Sequence, residues 1–151
     1  MAQRECFRMQ QRNAVDMAEL LFRRFRERGI VAALQSSCQL FLPSSYQPVG
    51  FNPDLRLYKY TKGHAFGKHV DGSNLVDGMG RTEITVLIYL SDCVGGATRF
   101  YPSSIAVDPV PGTMLLHVHG DRCLEHEADP VINGIKYVLR TDVVFGHSER
   151  S

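Results

Sequence analysis

No run of apolar residues in this 151-residue chain approaches the roughly 20 needed to cross a bilayer as a helix, and its first residues lack the apolar core of a secretory signal. Both absences point to a cytoplasmic or nuclear protein with no membrane partner. Net charge is scarce too: 17 Lys and Arg against 16 Asp and Glu leave +1 at pH 7, so no overall field favours nucleic acid. The four cysteines, Cys6, Cys38, Cys93 and Cys123, contain no C-x-x-C pair, which fits a reducing setting better than a disulfide framework. Low-complexity tracts and internal repeats are absent. The length suits one domain with a single core, read as residues 1–151, with 1–54 a helix and connecting segment and 55–145 a β core.

Asn13 to Arg28 has helical periodicity. Val15, Ala18, Leu21, Phe22 and Phe25 recur at spacings of three and four, opposite Arg23, Arg24, Arg26 and Glu27. Asn13 suits an N-cap and Gly29 the residue past the C-terminus. The arginines read as a solvated face, the apolar stripe as a brace on a sheet. Gly29 to Asn52, with Pro43, Pro48 and Gly50, reads as irregular structure around a short apolar run, Leu40 to Leu42. From Leu55 onward short strand patterns alternate with closely spaced turn signals, which predicts a β sandwich or barrel rather than βαβ units.

The chemistry centres on His69-Val70-Asp71. Residues i and i+2 of a strand share a face, so His69 and Asp71 can offer an imidazole nitrogen and a carboxylate to one ion. His126 is a third candidate. Two His and one carboxylate on one side of an ion leave its other positions open, as in non-haem Fe(II) oxygenases; the same ligand types also suit zinc. His117 and His119, an H-x-H pair on one strand face, are rival ligands. Lys136 stands in an otherwise apolar strand and needs a counter-charge if it points inward, which a dicarboxylate would supply. Lys136, Val138, Arg140 and Asp142 share a face of that strand, where Arg140 and Asp142 can pair.

Taken in order, His69-x-Asp71, Thr85 to Leu90 (TVLIYL), Gly95-Gly96-x-Thr98, Pro111-Gly112, His126-Glu127 and Lys136-Tyr137-x-x-Arg140-Thr141-Asp142 resemble the prolyl 4-hydroxylase-like branch of the 2-oxoglutarate- and Fe(II)-dependent dioxygenases. The resemblance spans roughly Leu55 to Phe145. It implies a mainly β fold, a double-stranded β-helix (a jelly-roll or cupin-like barrel), here with an N-terminal supporting helix. It also implies Fe(II) on His69, Asp71 and His126, with 2-oxoglutarate and O2 as cosubstrates and ascorbate as an optional reductant. The far carboxylate of 2-oxoglutarate would meet Lys136 and a tyrosine, Tyr60 or Tyr89, with Thr98 and Arg140 as further cofactor-binding candidates. Phe66 is expected to pack beside the site, His119 to orient a ligand, and Asp71 to Arg81 to form a mobile loop at its mouth. The implied reaction hydroxylates an unactivated C–H bond of a protein side chain, prolyl among the options, releasing succinate and CO2. A small-molecule hydroxylase and a non-catalytic metal- or ligand-binding β-barrel stay open, and no residue names the substrate.

Overall fold

Residues 3–147 are described by the computed structural model of the protein. The chain runs through β1 (Phe7–Gln11), α1 (Val15–Glu27), α2 (Ile30–Cys38), β2 (Tyr46–Phe51), β3 (Leu55–Tyr60), β4 (Phe66–His69) and β5 (Leu75–Val76). It continues through β6 (Gly80–Tyr89), β7 (Cys93–Gly95), β8 (Thr98–Phe100), β9 (Ile105–Val107), β10 (Met114–Val118), β11 (His126–Ala128), β12 (Val131–Gly134) and β13 (Lys136–His147). A seven-stranded sheet has the order β1-β3-β13-β6-β10, with β2 also on β13 and β5 on β6; a second sheet has the order β4-β11-β8-β9, and β12 pairs with β7. This is the expected double-stranded β-helix.

Strand alternation sorts the large sheet into two chemistries. Ile84 and Val86 of β6 and Val143 and Phe145 of β13 turn outward and form one core with Ala18, Phe22 and Phe25 of α1 and Phe51 of β2. Phe51 sits edge-on between Phe22 and Phe25, with ring centroids 5.3 and 5.0 Å away. The opposite face carries Thr85, Leu87 and Tyr89 of β6, and Lys136, Val138 and Arg140 of β13, into a cleft. The helices stabilise the back of the sheet, and its front is left for chemistry.

Three local expectations need correction. Asn13 is not a cap: its φ is 58°, the helix begins after Ala14 with no side-chain cap, and the Ala14 N–H is taken by the Pro53 carbonyl. Residues 29–52 are not irregular. Gly29, at φ 75°, reverses the chain into α2, whose Ile30, Val31 and Leu34 join the core. β2 accommodates Pro48 because it pairs only with β13, across a register shift, and a free edge tolerates a missing donor. β1 and β2 thus extend the sheet beyond residues 55–145. Finally, the segment after Asp71 forms a short hairpin, with Leu75 opposite Arg81 and Val76 opposite Gly80. Among the described residues no helix is long and apolar enough to cross a membrane.

Candidate metal centre

β4 and β11 bring the three candidate ligands together, because His126 pairs directly with His69 across the small sheet. Asp71, just past the end of β4, is held by the backbone bond from Gly120 N–H to its carbonyl. The ligand atoms of His69, Asp71 and His126 all lie within 4.8 Å of one another. The Nε2 atoms of His69 and His126 are each 3.7 Å from an Asp71 carboxylate oxygen. The opposite ring nitrogens are tied down: His69 Nδ1 donates to the Gly67 carbonyl and His126 Nδ1 to the Leu124 carbonyl, both at 2.8 Å. A carbonyl only accepts, so both Nδ1 atoms carry the proton and both Nε2 lone pairs face Asp71. Such outer bonds fix the tautomer that a metal requires. These three residues fit an iron ion.

The carboxylate is equally prepared. Burial alone would raise the Asp71 pKa, but Arg140 and the Thr85 hydrogen bond outweigh it and hold the group down to about 2. Thr85 Oγ1 donates to Asp71 Oδ2 at 2.8 Å and also meets His119 Nε2 at 2.6 Å. With the only hydroxyl proton given to Asp71, His119 is the donor in the second bond. His119 therefore acts on the carboxylate through Thr85, and its Nε2 stands 3.5 Å from Asp142 as well. Burial keeps the His69 pKa below its usual value, so its imidazole is neutral near pH 7. Phe66 stacks on that ring at 3.8 Å.

His117, the rival, also points inward. Its Nε2 lies 3.5 Å from Asp71 Oδ2 but has no hydrogen-bond partner, and burial lowers its pKa to about 4. With Cys123 and His126 it forms a second set of residues able to hold a metal. His64 is half-buried, its Nδ1 accepting from the Thr61 N–H at 3.2 Å.

The other candidates gather at the far end of the cleft. Lys136 pairs in register with Tyr60 and is 98 % buried, its Nζ 4.8 Å over the Tyr60 ring and 5.7 Å from the Tyr89 ring centre. It donates to the Gly96 carbonyl at 2.6 Å. No carboxylate lies within ion-pair distance of it among the described residues. Burial pushes its pKa down to about 8, the signature of a buried ammonium waiting for a counter-charge. Tyr89 and Thr98 share a hydroxyl–hydroxyl bond of 2.6 Å, and burial raises the Tyr60 pKa. Arg140 stands apart from this group: its Nη2 lies 3.4 Å from Asp71 and 3.5 Å from Asp142. Two residues that line the cleft, Arg4 and Tyr58, had no site role in the sequence reading. Tyr58 could have been found from its i, i+2 relation to Tyr60. Arg4 could not, since it reaches the cleft through a bridge to Phe66.

A model of the 2OG-Fe(II) oxygenase superfamily matches residues 55–141. Among solved structures, a viral collagen prolyl hydroxylase from Paramecium bursaria Chlorella virus-1, in complex with 2-oxoglutarate, superposes with TM-score 0.66 at 19% identity, covering 93% of this chain and 78% of its own. A prolyl-4-hydroxylase from Pseudomonas putida gives 0.60 at 18% identity, covering 93% and 72%. A prolyl hydroxylase from Trichoplax adhaerens, bound to a hypoxia inducible factor peptide fragment, gives 0.60 at 21%, covering 93% and 64%. At these identities the likeness is one of fold. No curated protein matches the chain.

Proposed function

We propose, since this chain belongs to the 2OG-Fe(II) oxygenase superfamily and is an Fe(II)- and 2-oxoglutarate-dependent dioxygenase, that it hydroxylates an unactivated C–H bond and releases succinate and CO2. The substrate position is a protein side chain, prolyl being the choice suggested by the solved neighbours, or a comparable carbon of a small molecule. One observation carries the reading: two lone pairs and a carboxylate converge in the same cleft as a buried lysine that has no anionic partner among the described residues. A hydrolytic zinc site or a plain binding barrel would have no use for that lysine.

In this reading His69, Asp71 and His126 hold the iron. When bound, the iron supplies the activation of oxygen that is coupled to decarboxylation of 2-oxoglutarate. Lys136 fixes the far carboxylate as a point charge, and the Tyr60 and Tyr89 rings keep water from it. The Tyr89–Thr98 pair offers a further hydroxyl to the same carboxylate. Thr85 and Arg140 hold Asp71 ionised and in one orientation, while the Gly67 and Leu124 carbonyls keep both imidazoles in the ligating tautomer.

The test is anaerobic titration with Fe(II) and then 2-oxoglutarate, followed by oxygen and a succinate assay. A weak metal-to-ligand charge-transfer band in the visible, lost in His126→Ala, is the expected result, with succinate formed on aeration. Lys136→Ala should keep metal binding and lose 2-oxoglutarate. Equal cosubstrate binding by wild type and Lys136→Ala would sink the assignment.

A further inference from the structure

The cleft contains more unmet donors than its metal and cosubstrate account for. Arg4 Nε, Tyr58 Oη and Arg140 Nε are all buried without a hydrogen-bond partner, and all three residues line the same cleft. An unsatisfied buried polar group is destabilising, so three in one cleft need an explanation. Their arrangement follows from the topology. Tyr58 is opposite Val138 on β3 and β13, and Arg140 is the next residue along that face, so Tyr58 and Arg140 are diagonal neighbours. Arg4 arrives from the N-terminal segment, bridged to Phe66, and its guanidinium lies 5.1 Å from the Tyr58 ring centre and 4.2 Å from that of Phe66. Arg4 makes no ion pair among the described residues. Among the described residues the hydrogen bonds and ion pairs of the Arg140 guanidinium are all made by Nη2, and its Nε–H has no partner.

We infer that Arg140, Arg4 and Tyr58 form a subsite for an anionic group of the substrate, a carboxylate, and that the hydroxylated molecule is an aliphatic carboxylic acid. The inference rests on the oxygenase reading above. Two guanidinium groups and a phenol are the donors that suit a carboxylate; Arg140 already faces Asp71 and Asp142 through Nη2, whereas a neutral amide would leave the Arg4 charge without an ion-pair partner among the described residues. Leu87, opposite Arg140 on β6, and Val138, between Arg140 and Lys136 on the same face of β13, line the cleft. They supply an apolar bed for a carbon chain anchored at its acid end. Arg140 touches the Asp71 carboxylate, so the anchor is beside the metal centre and the neighbouring C–H bonds are held close to it. Lys136, four residues away along β13, serves the cosubstrate instead.

Matched acid and amide probes test this on the anaerobic Fe(II)·2-oxoglutarate enzyme, with perturbation of its charge-transfer band and calorimetry as readouts. The pairs are hexanoate with hexanamide, and N-acetyl-glycyl-leucine with its C-terminal amide. At least one acid should bind tighter than its amide by about tenfold or more, the size of one charge-assisted contact. Preference in the first pair identifies a small acid as the carrier of the carboxylate, and preference in the second alone a chain terminus. Arg4→Met should remove most of the preference while the 2-oxoglutarate band persists. Tyr58→Phe, which removes only the phenolic donor, should lower the preference in the same direction and guards against a folding artefact in Arg4→Met. Equal binding of acid and amide in both pairs overturns the subsite. A preference that survives both Arg4→Met and Tyr58→Phe undiminished does so too. A wild-type protein that shows no band at all refutes the oxygenase reading instead.

Discussion

Lys136 is the residue at which the proposed function sets stability against binding. Its pKa is down to about 8 in the fold against a usual 10.5, because burial disfavours the charged form. Between those pH values the unfolded chain binds the extra proton, so the stability of the ligand-free protein should rise as pH climbs from about 8 to 10.5. Affinity for 2-oxoglutarate should move the other way, falling above pH 8 as the ammonium is lost. Urea denaturation and calorimetric titration across that range would show the two opposing trends. Lys136→Met should stabilise the ligand-free protein by about 1 kcal/mol or more, since it removes an unpaired buried charge, and should abolish cosubstrate binding. A destabilised Lys136→Met would contradict this account. His126 belongs to both possible metal sets, so the informative variants lie elsewhere. His69→Ala should weaken Fe(II) binding by about a hundredfold or more, whereas Cys123→Ser should change it by less than about tenfold. The reverse order would assign the metal to His117, Cys123 and His126.

At the scale of elements, the β7–β8 turn places the lysine. Gly96 sits at φ +71°, and a Cβ there would lie 3.1 Å from Cys93 Sγ and 3.2 Å from Lys136 Cδ. Its carbonyl is also the partner of the Lys136 ammonium. Gly96→Ala should therefore cost about 1–2 kcal/mol from the left-handed backbone. It should also weaken 2-oxoglutarate binding by displacing Lys136, both readable from thermal melts with and without cosubstrate. The Gly95-Gly96 pair was visible in the sequence as a turn, but its contact with Lys136 joins residues far apart in the chain. α2 was missed for a different reason. Ile30 and Val31 open it, Ser36 and Ser37 close it, and propensity alone does not make such a stretch helical; packing of Ile30, Val31 and Leu34 against the core does.

For the whole molecule, metal and cosubstrate bind only the folded state, so they should stabilise it by mass action. At a hundredfold excess over the dissociation constant the gain is about 2.7 kcal/mol, which raises Tm by roughly 8 °C for a chain of this size. Anaerobic melts should show one increment with Fe(II) and a second with 2-oxoglutarate. A chelator should reverse both, and Lys136→Ala should lose only the second. Identical melts with and without 2-oxoglutarate would count against cosubstrate binding. The N-terminal segment belongs to this scale as well. Backbone bonds from Glu5 N–H to the Ala65 carbonyl and from Gly67 N–H to the Gln3 carbonyl clamp it along β4, which is how Arg4 comes to line the cleft.

By itself the sequence determined the ligand types, the period-2 faces and the buried lysine, because these follow from residue identity and from spacings along single strands. His69 with Asp71, Thr85 with Leu87 and Tyr89, and Lys136 with Val138 and Arg140 could all be placed on common faces before any fold was known. Only the tertiary structure decided which nitrogen of each histidine faces the metal position, since that depends on carbonyls aimed by the local backbone. Tertiary pairing of β3 with β13 and docking of the N-terminal segment on β4 likewise put Arg4, Tyr58 and Arg140 around one cleft. These residues are remote in the chain, and no spacing relates them; hydrogen bonds between strands do.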